Sequence, residues 1–199
     1  MPKKFTFYNE HNVPTHICYL TSEQCQAHLN NGNQCRRRSV IGVPYCWTHL
    51  QNILHLKIRP SQIQGAGLGL FAWDPKQAAD AIIFRANDKI VDYYGDIVTS
   101  NDLQHWYGDH TAPYAASIVD DLEEDAACRR GIGSLINHTT NPVKINSKLW
   151  MVDGHIEIFA TKNIQNRREI LLNYGNQYTF NDPTHYVTRN VRHIDNDQM

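Results

Sequence analysis

The chain has 199 residues, a formal net charge of −1 with His neutral, and 41% hydrophobic residues. That length supports one domain with a sizeable core plus a small appendage. The charge balance argues against bulk phosphate binding, though not against a local basic patch. No apolar run is long enough to cross a bilayer as a helix, and the start, MPKKFTFYNEHNVP, lacks the apolar core of a secretion signal. The expectation is a soluble intracellular protein with no membrane partner.

Four of the five cysteines, Cys18, Cys25, Cys35 and Cys46, lie in the first quarter, and Cys128 stands alone. The odd count and the absent signal argue against a disulfide framework, and clustered cysteines in an intracellular chain point to metal. Within CQAHLNNGNQCRRRSVIGVPYCWTHL, Cys25, Cys35, Cys46 and His49 are separated by nine, ten and two residues. Zinc takes four soft or borderline ligands in a tetrahedron, and NNGN and GVP supply turns between them. Cys46-x-x-His49 is the tight half of the set and opens a short helix, WTHLQNIL. So small a segment buries little apolar surface, and metal would supply the missing stability. Cys18 is the rival ligand, and three buried thiols beside a surface His is the plain alternative. The pattern resembles short Cys-Cys-Cys-His zinc motifs appended to phage, viral and bacterial proteins. Arg36-Arg37-Arg38 beside it is either a phosphate contact or, more simply, a solvated face.

From Lys57, LKIRPSQIQGAGLGLFAWDP reads as strand, Gly-rich turn, strand. Gly65, Gly67 and Gly69 permit unusual dihedrals and close approach of a ligand. The turn lacks the Lys-Ser/Thr of a phosphate loop and no helical pattern follows it, so it is not a nucleotide-phosphate cradle. AIIFRANDKIVDYYGDIVT reads as a strand pair closing on Tyr93-Tyr94-Gly95-Asp96. Residues 100–125 are polar and irregular, ending in DDLEED. LWMVDGHIEIFATKNI reads as a hairpin around Asp153-Gly154, and EILLNYGNQY is a final apolar run. No long stretch keeps a helical period, so the fold class is mainly β. Within GSLINHTTNP, Asn137-His138 is open to four readings: a catalytic pair, half a metal site, a turn, or a cofactor contact.

Four motifs in order, GAGLGLFA, DYYGD, DAACRRGIGSLINHTTNP and IFATKNI…REILLNYG, resemble the SET-domain lysine methyltransferases, from about Lys57 to Tyr178. The compact form is similar to viral and bacterial members. The resemblance implies small β-sheets around a C-terminal pseudoknot, with S-adenosylmethionine on one face and a lysine channel opening on the other. By this likeness Gly67, Leu68 and Gly69 line the methionine part of the cofactor. Asn137 and His138 contact the cofactor at the knot, their side chains fixing the knot itself. Tyr93 lines the lysine channel, and Tyr174 is the residue most closely tied to catalysis. Leu172, apolar and two residues before Tyr174, implies room for more than one methyl. Asp125 matches a structural family position, and Asp120, Asp121, Glu123 and Glu124 form with it an acidic rim suited to a basic peptide.

The sequence departs from the family at Ser134-Leu135, Thr139-Thr140, Val143 and Arg168-Glu169, with Asn166 offered as the residue supplying the special turn dihedral. No Cys follows Tyr174, and Tyr178, Phe180 and Tyr186 are available to close the channel instead. The implied organisation is a zinc-binding segment over 1–55, a SET domain over 56–178 and a tail over 179–199 that completes or flanks the channel. The implied activity is lysine N-methylation of a histone or another basic protein, at home in a nucleus or in a host cell. The alternative is a catalytically weak SET-like module binding protein or nucleic acid through its zinc knuckle.

Overall fold

In a computed structural model, residues 3–8, 11, 13–40, 42–108 and 112–175 are described. The tail over 179–199 and the three aromatics offered to close the channel, Tyr178, Phe180 and Tyr186, lie outside the described residues. Among the described residues, fourteen short strands in six small sheets dominate, with two eight-residue helices. β1 (Lys3–Tyr8) and β2 (Pro14–Leu20) form an antiparallel hairpin. The metal-type segment follows and ends in α1 (Trp47–Leu54). Helix α1 starts at Cys46 and stops at His55, whose φ of 51° is left-handed and ends the ladder.

β3 (Leu56–Pro60) and β4 (Leu68–Ala72) pair antiparallel across the Gly-rich turn, as the sequence implies. The anticipated strand pair before Tyr93 does not form. β5 (Ile82–Phe84) pairs with β13 (Ile164–Gln165), and β6 (Lys89–Asp92) pairs with β12 (His155–Ala160). β7 (Asp96–Thr99) pairs with β9 (Leu122–Asp125), which also pairs with β8 (Ala115–Val119). Local apolar runs carry no information about partners, and long-range packing selected them.

Helix α2 (Ser100–Tyr107) occupies a stretch that reads as irregular. Its signal is a capping box: the Thr99 hydroxyl accepts from Asp102 N, and the Asp102 carboxylate accepts from Thr99 N. Tyr107 at its end is 1% exposed and packs with Phe7, Cys18 and Ala127 in a second small core. β11 (Ser147–Val152) and β12 form the hairpin expected at Asp153-Gly154, where both residues have positive φ, 49° and 82°.

The main core runs through Leu56, Leu70, Ile90, Ile136, Ile158, Ile170 and Leu172. Val43 and Leu50, from the Cys-rich segment, belong to the same cluster. That segment therefore docks on the β-sheets with its own apolar side chains.

β10 (Asn137–His138) and β14 (Leu171–Leu172) pair in parallel, Asn137 opposite Leu171 and His138 opposite Leu172. Thr139 N extends this edge by donating to Leu172 O at 2.9 Å. On the other edge Asn146 Nδ2 donates to Glu169 O at 2.8 Å, Asn146 Oδ1 accepts from Leu171 N at 2.9 Å, and Ser147 Oγ donates to Leu171 O at 2.9 Å. Residues 137–139 and 146–147 are joined by the chain over 140–145. One loop thus grips residues 169–172 from both sides, and the final segment passes through it as a pseudoknot.

Candidate functional site

The knot brings Tyr174 to a fixed place. Its backbone N donates to His138 Nδ1 at 2.9 Å, and its hydroxyl donates to Ile136 O at 2.6 Å. The His138 and Tyr174 rings lie 5.2 Å apart. The first of these bonds requires an unprotonated Nδ1. Partial burial moves His138 in that direction, lowering its pKa from the ordinary 6.5.

Asn137 works on the other side. Its Nδ2 donates to Leu68 O at 3.0 Å and to Glu169 Oε1 at 3.2 Å. Glu169 is 3% exposed and also accepts from Ser61 Oγ at 2.6 Å and from Gln62 N at 2.7 Å. One buried carboxylate therefore ties the Gly-rich turn, the Asn-His strand and the last segment together. Gly69 leaves room for it: a Cβ there would stand 2.2 Å from Glu169 Oε1. Gly65 and Gly67 differ. Both have positive φ, 81° and 69°, and a Cβ on either would meet nothing within 4 Å. Open space thus lies beside an exposed Gly-rich turn whose Leu68 carbonyl is held to Asn137.

Tyr93 is 9% exposed, and its hydroxyl donates to Tyr114 O at 2.7 Å. Burial first, then proximity to Tyr174, pushes its pKa well above the ordinary 10.0. Tyr93 is a neutral donor at any working pH and not a base. Tyr93 belongs to the main buried cluster, and Tyr174 packs against that same cluster. Tyr114 completes the cluster, with the Arg130 guanidinium 4.1 Å from its ring centroid. Leu172 is 2% exposed and belongs to the main core.

Sequence reasoning missed Tyr114, Asn146 and the role of Glu169. Tyr114 sits in a polar stretch with no period to mark it. Asn146 and Glu169 act through partners 23 to 108 residues away, a distance no local pattern encodes. The special dihedral assigned to Asn166 belongs to Arg167, with φ of 67°. Asn166 is instead buried and pins the loop at Asp74, Gln77 and Ala78 by side-chain bonds.

The acidic rim also needs correction. Glu124 is 1% exposed, accepting from Gly95 N and Ile156 N, and Asp125 is 3% exposed, accepting from Tyr107 Oη and Ala127 N. Both carboxylates serve backbone and core. Burial raises the pKa of Asp125. Asp120 and Asp121 stay exposed and Glu123 half-buried.

At the N-terminus, Cys25, Cys35, Cys46 and His49 converge, with one donor atom from each within 4.8 Å of the others. His49 Nδ1 lies 3.4 Å from Cys25 Sγ and 3.3 Å from Cys46 Sγ. Three thiols and one imidazole nitrogen suit tetrahedral zinc. Cys18 is not part of this set. It forms a disulfide with Cys128, so the argument against disulfides fails for this pair. Sequence counting missed it because 110 residues separate the two cysteines and only the packing of β2 against residues 125–128 brings them together. Of the basic triplet, Arg37 donates to Thr48 Oγ1 and Arg38 to Ser22 O, turning two guanidiniums back onto the segment.

A family model described as SET domain matches residues 67–175. The variant-silencing SET domain-containing protein of Plasmodium falciparum (isolate 3D7) is 29% identical over 100 residues, 49% of this chain and 4% of that protein. Among solved structures, the Chaetomium thermophilum polycomb repressive complex 2 is similar with 24% identity and a TM-score of 0.49, over 62% of this chain and 15% of the other. A structure of ctPRC2 in an autoinhibited conformation bound to S-adenosylmethionine is similar with 22% identity and a TM-score of 0.49, over 63% and 16%. The chain thus spans a small fraction of the length of each.

Proposed function

Because the chain belongs to the SET-domain family, we propose that it is an S-adenosylmethionine-dependent protein-lysine N-methyltransferase acting on a histone tail or another basic protein. The observation that carries this reading is the fixed Tyr174 at the knot. His138 holds its backbone, the Ile136 carbonyl holds its hydroxyl, and its ring packs against the cluster that contains Tyr93.

When bound, the cofactor supplies a methyl group on a sulfonium. The open space beside Gly65 and Gly67, on the turn that Asn137 holds through the Leu68 carbonyl, would leave room for it. Every other requirement falls on the chain. A free lysine amine is protonated at neutral pH. Enclosure among Tyr93, Tyr114 and Tyr174 would lower its pKa by desolvation, so the proton leaves through water as the amine enters. Neither Tyr93 nor Tyr174 need act as a base. Each spends its proton on a carbonyl, which leaves hydroxyl lone pairs to accept from the amine and orient it. Such positioning supplies about 7–11 kcal/mol in favourable cases.

The Cys25, Cys35, Cys46 and His49 set would hold one structural zinc ion, stabilising the segment that docks through Val43 and Leu50. The exposed Asp120 and Asp121 would favour a Lys/Arg-rich substrate. We assign the zinc segment to residues 1–55, the catalytic domain to 56–178 and a channel-flanking role to 179–199.

The test is transfer of labelled methyl from S-adenosylmethionine to core histones and to a lysate, comparing wild type with Tyr174→Phe. The expected result is a labelled protein band that falls by about 100-fold or more in the variant. A band undiminished in the variant would refute the role of Tyr174. No band from folded, cofactor-binding wild type would refute transfer and favour a binding module.

A further inference from the structure

A second group of metal-type donors lies outside everything described for transfer. His16 and Cys18 are two residues apart on β2, and Cys128 follows the Asp125–Ala127 turn. One donor atom from each lies within 4.8 Å of the others, and His16 Nε2 is 2.9 Å from Cys128 Sγ.

Each of the three donors also has a support of its own. The His16 ring stacks on Trp106, centroids 4.3 Å apart and planes 17° apart. Cys18 is 2% exposed and sits in the small core with Phe7, Tyr107 and Ala127. The turn before Cys128 is pinned by the Asp125 carboxylate on Ala127 N at 2.8 Å. A disulfide needs no imidazole beside it. An imidazole nitrogen this close to a cysteine sulfur sets a nitrogen donor beside a sulfur donor. Two thiolates and one imidazole nitrogen are a zinc donor set with three protein ligands. Cys128 is half-buried, and water would take the fourth position.

We propose that His16, Cys18 and Cys128 form a redox-gated zinc site: a Cys18–Cys128 disulfide when oxidised, and a three-ligand Zn²⁺ site when reduced. A dithiol reductant breaks the S–S bond by delivering two electrons and two protons, and itself becomes a disulfide. Zn²⁺ then displaces one proton from each thiol. Either state ties the β1–β2 hairpin to the segment that carries Arg130 onto Tyr114. The reduced, metal-free state alone releases that tie. The inference is independent of the transfer reading, since its readouts are metal content and thiol reactivity.

The experiment is equilibrium dialysis of the full chain against buffered Zn²⁺, oxidised and after phosphine reduction. The reduced protein is expected to bind one more zinc per chain than the oxidised protein. Cys128→Ser is expected to abolish that difference. His16→Ala is expected to weaken the extra site by more than roughly 100-fold, the upper end of what loss of an outer-shell partner costs, while the disulfide still forms. Alkylation of wild type, read by intact mass, needs no variant: Zn²⁺ should slow modification of Cys18 and Cys128 by about tenfold or more. Equal zinc in both redox states would overturn the proposal. So would an extra zinc whose affinity survives His16→Ala, or two thiols alkylated at the same rate with and without zinc.

Discussion

Replacing Glu169 with Ala would remove the acceptor shared by Ser61 Oγ, Gln62 N and Asn137 Nδ2. Hydrogen bonds to a charged group contribute about 1.5–3 kcal/mol each, so the three sum to about 5–9 kcal/mol. That sum overstates the loss. The carboxylate is 3% exposed, and its own desolvation cost disappears with it. Ser61 and Gln62 lie near the surface and regain water. The expected net destabilisation is about 2–4 kcal/mol. It should come with weaker S-adenosylmethionine binding, because Asn137, which holds the Leu68 carbonyl, loses its own anchor. Urea denaturation followed by circular dichroism measures the first effect, and titration calorimetry the second. Glu169→Gln keeps one acceptor oxygen and should fall between wild type and Ala. A Glu169→Ala protein within about 0.5 kcal/mol of wild type, with cofactor affinity unchanged, would refute the role given to this carboxylate.

Three further outcomes are expected. Because burial lowers the His138 pKa below 6.5, the unfolded chain takes up this proton more readily than the folded one. The stability it contributes is complete above pH 6.5 and lost as pH falls through the folded value, where protonated Nδ1 also stops accepting from Tyr174 N. An NMR titration placing His138 above 6.5 would contradict this. Gly133→Ala puts a Cβ 2.6 Å from Ile158 Cδ1, 2.7 Å from Asp92 O and 2.9 Å from Tyr93 Cα. It should cost about 1–3 kcal/mol and disturb Tyr93, and an unchanged thermal midpoint would argue against it. Zinc removal by chelation, or Cys46→Ser, should cost more than about 2 kcal/mol and expose α1 to hydrogen exchange. Full protection of Trp47–Leu54 in metal-free protein would contradict the zinc assignment.

Much of this protein is local and was therefore legible. The hairpins at Gly65–Gly69 and at Asp153-Gly154 are written in turn residues between apolar runs. Helix α1 is written in the Cys46-x-x-His49 spacing, and the converging donor set in the spacing of four residues within 25 positions. The family, and with it the mainly β fold, is written in the order of four short motifs that the SET domain model spans.

What stayed hidden depends on partners remote in the chain. Partner choice for β5, β6 and β7 is set by which edges the rest of the fold leaves free. Glu124 looks like solvated acid in sequence, and Asp125 is marked as structural only by the family resemblance, yet both lie buried because backbone N–H groups, and for Asp125 the Tyr107 hydroxyl, satisfy them there. Glu169 reads as a turn residue and becomes the anchor between the Gly-rich turn and the Asn-His strand only when Ser61, Gln62 and Asn137 fold onto it. Cys18 and Cys128 look unrelated until β2 packs beside residues 125–128. Residue type and local spacing determined which elements exist and which chemistry is available. Only tertiary structure decided which polar groups face each other, because a buried acceptor finds its donors across the fold.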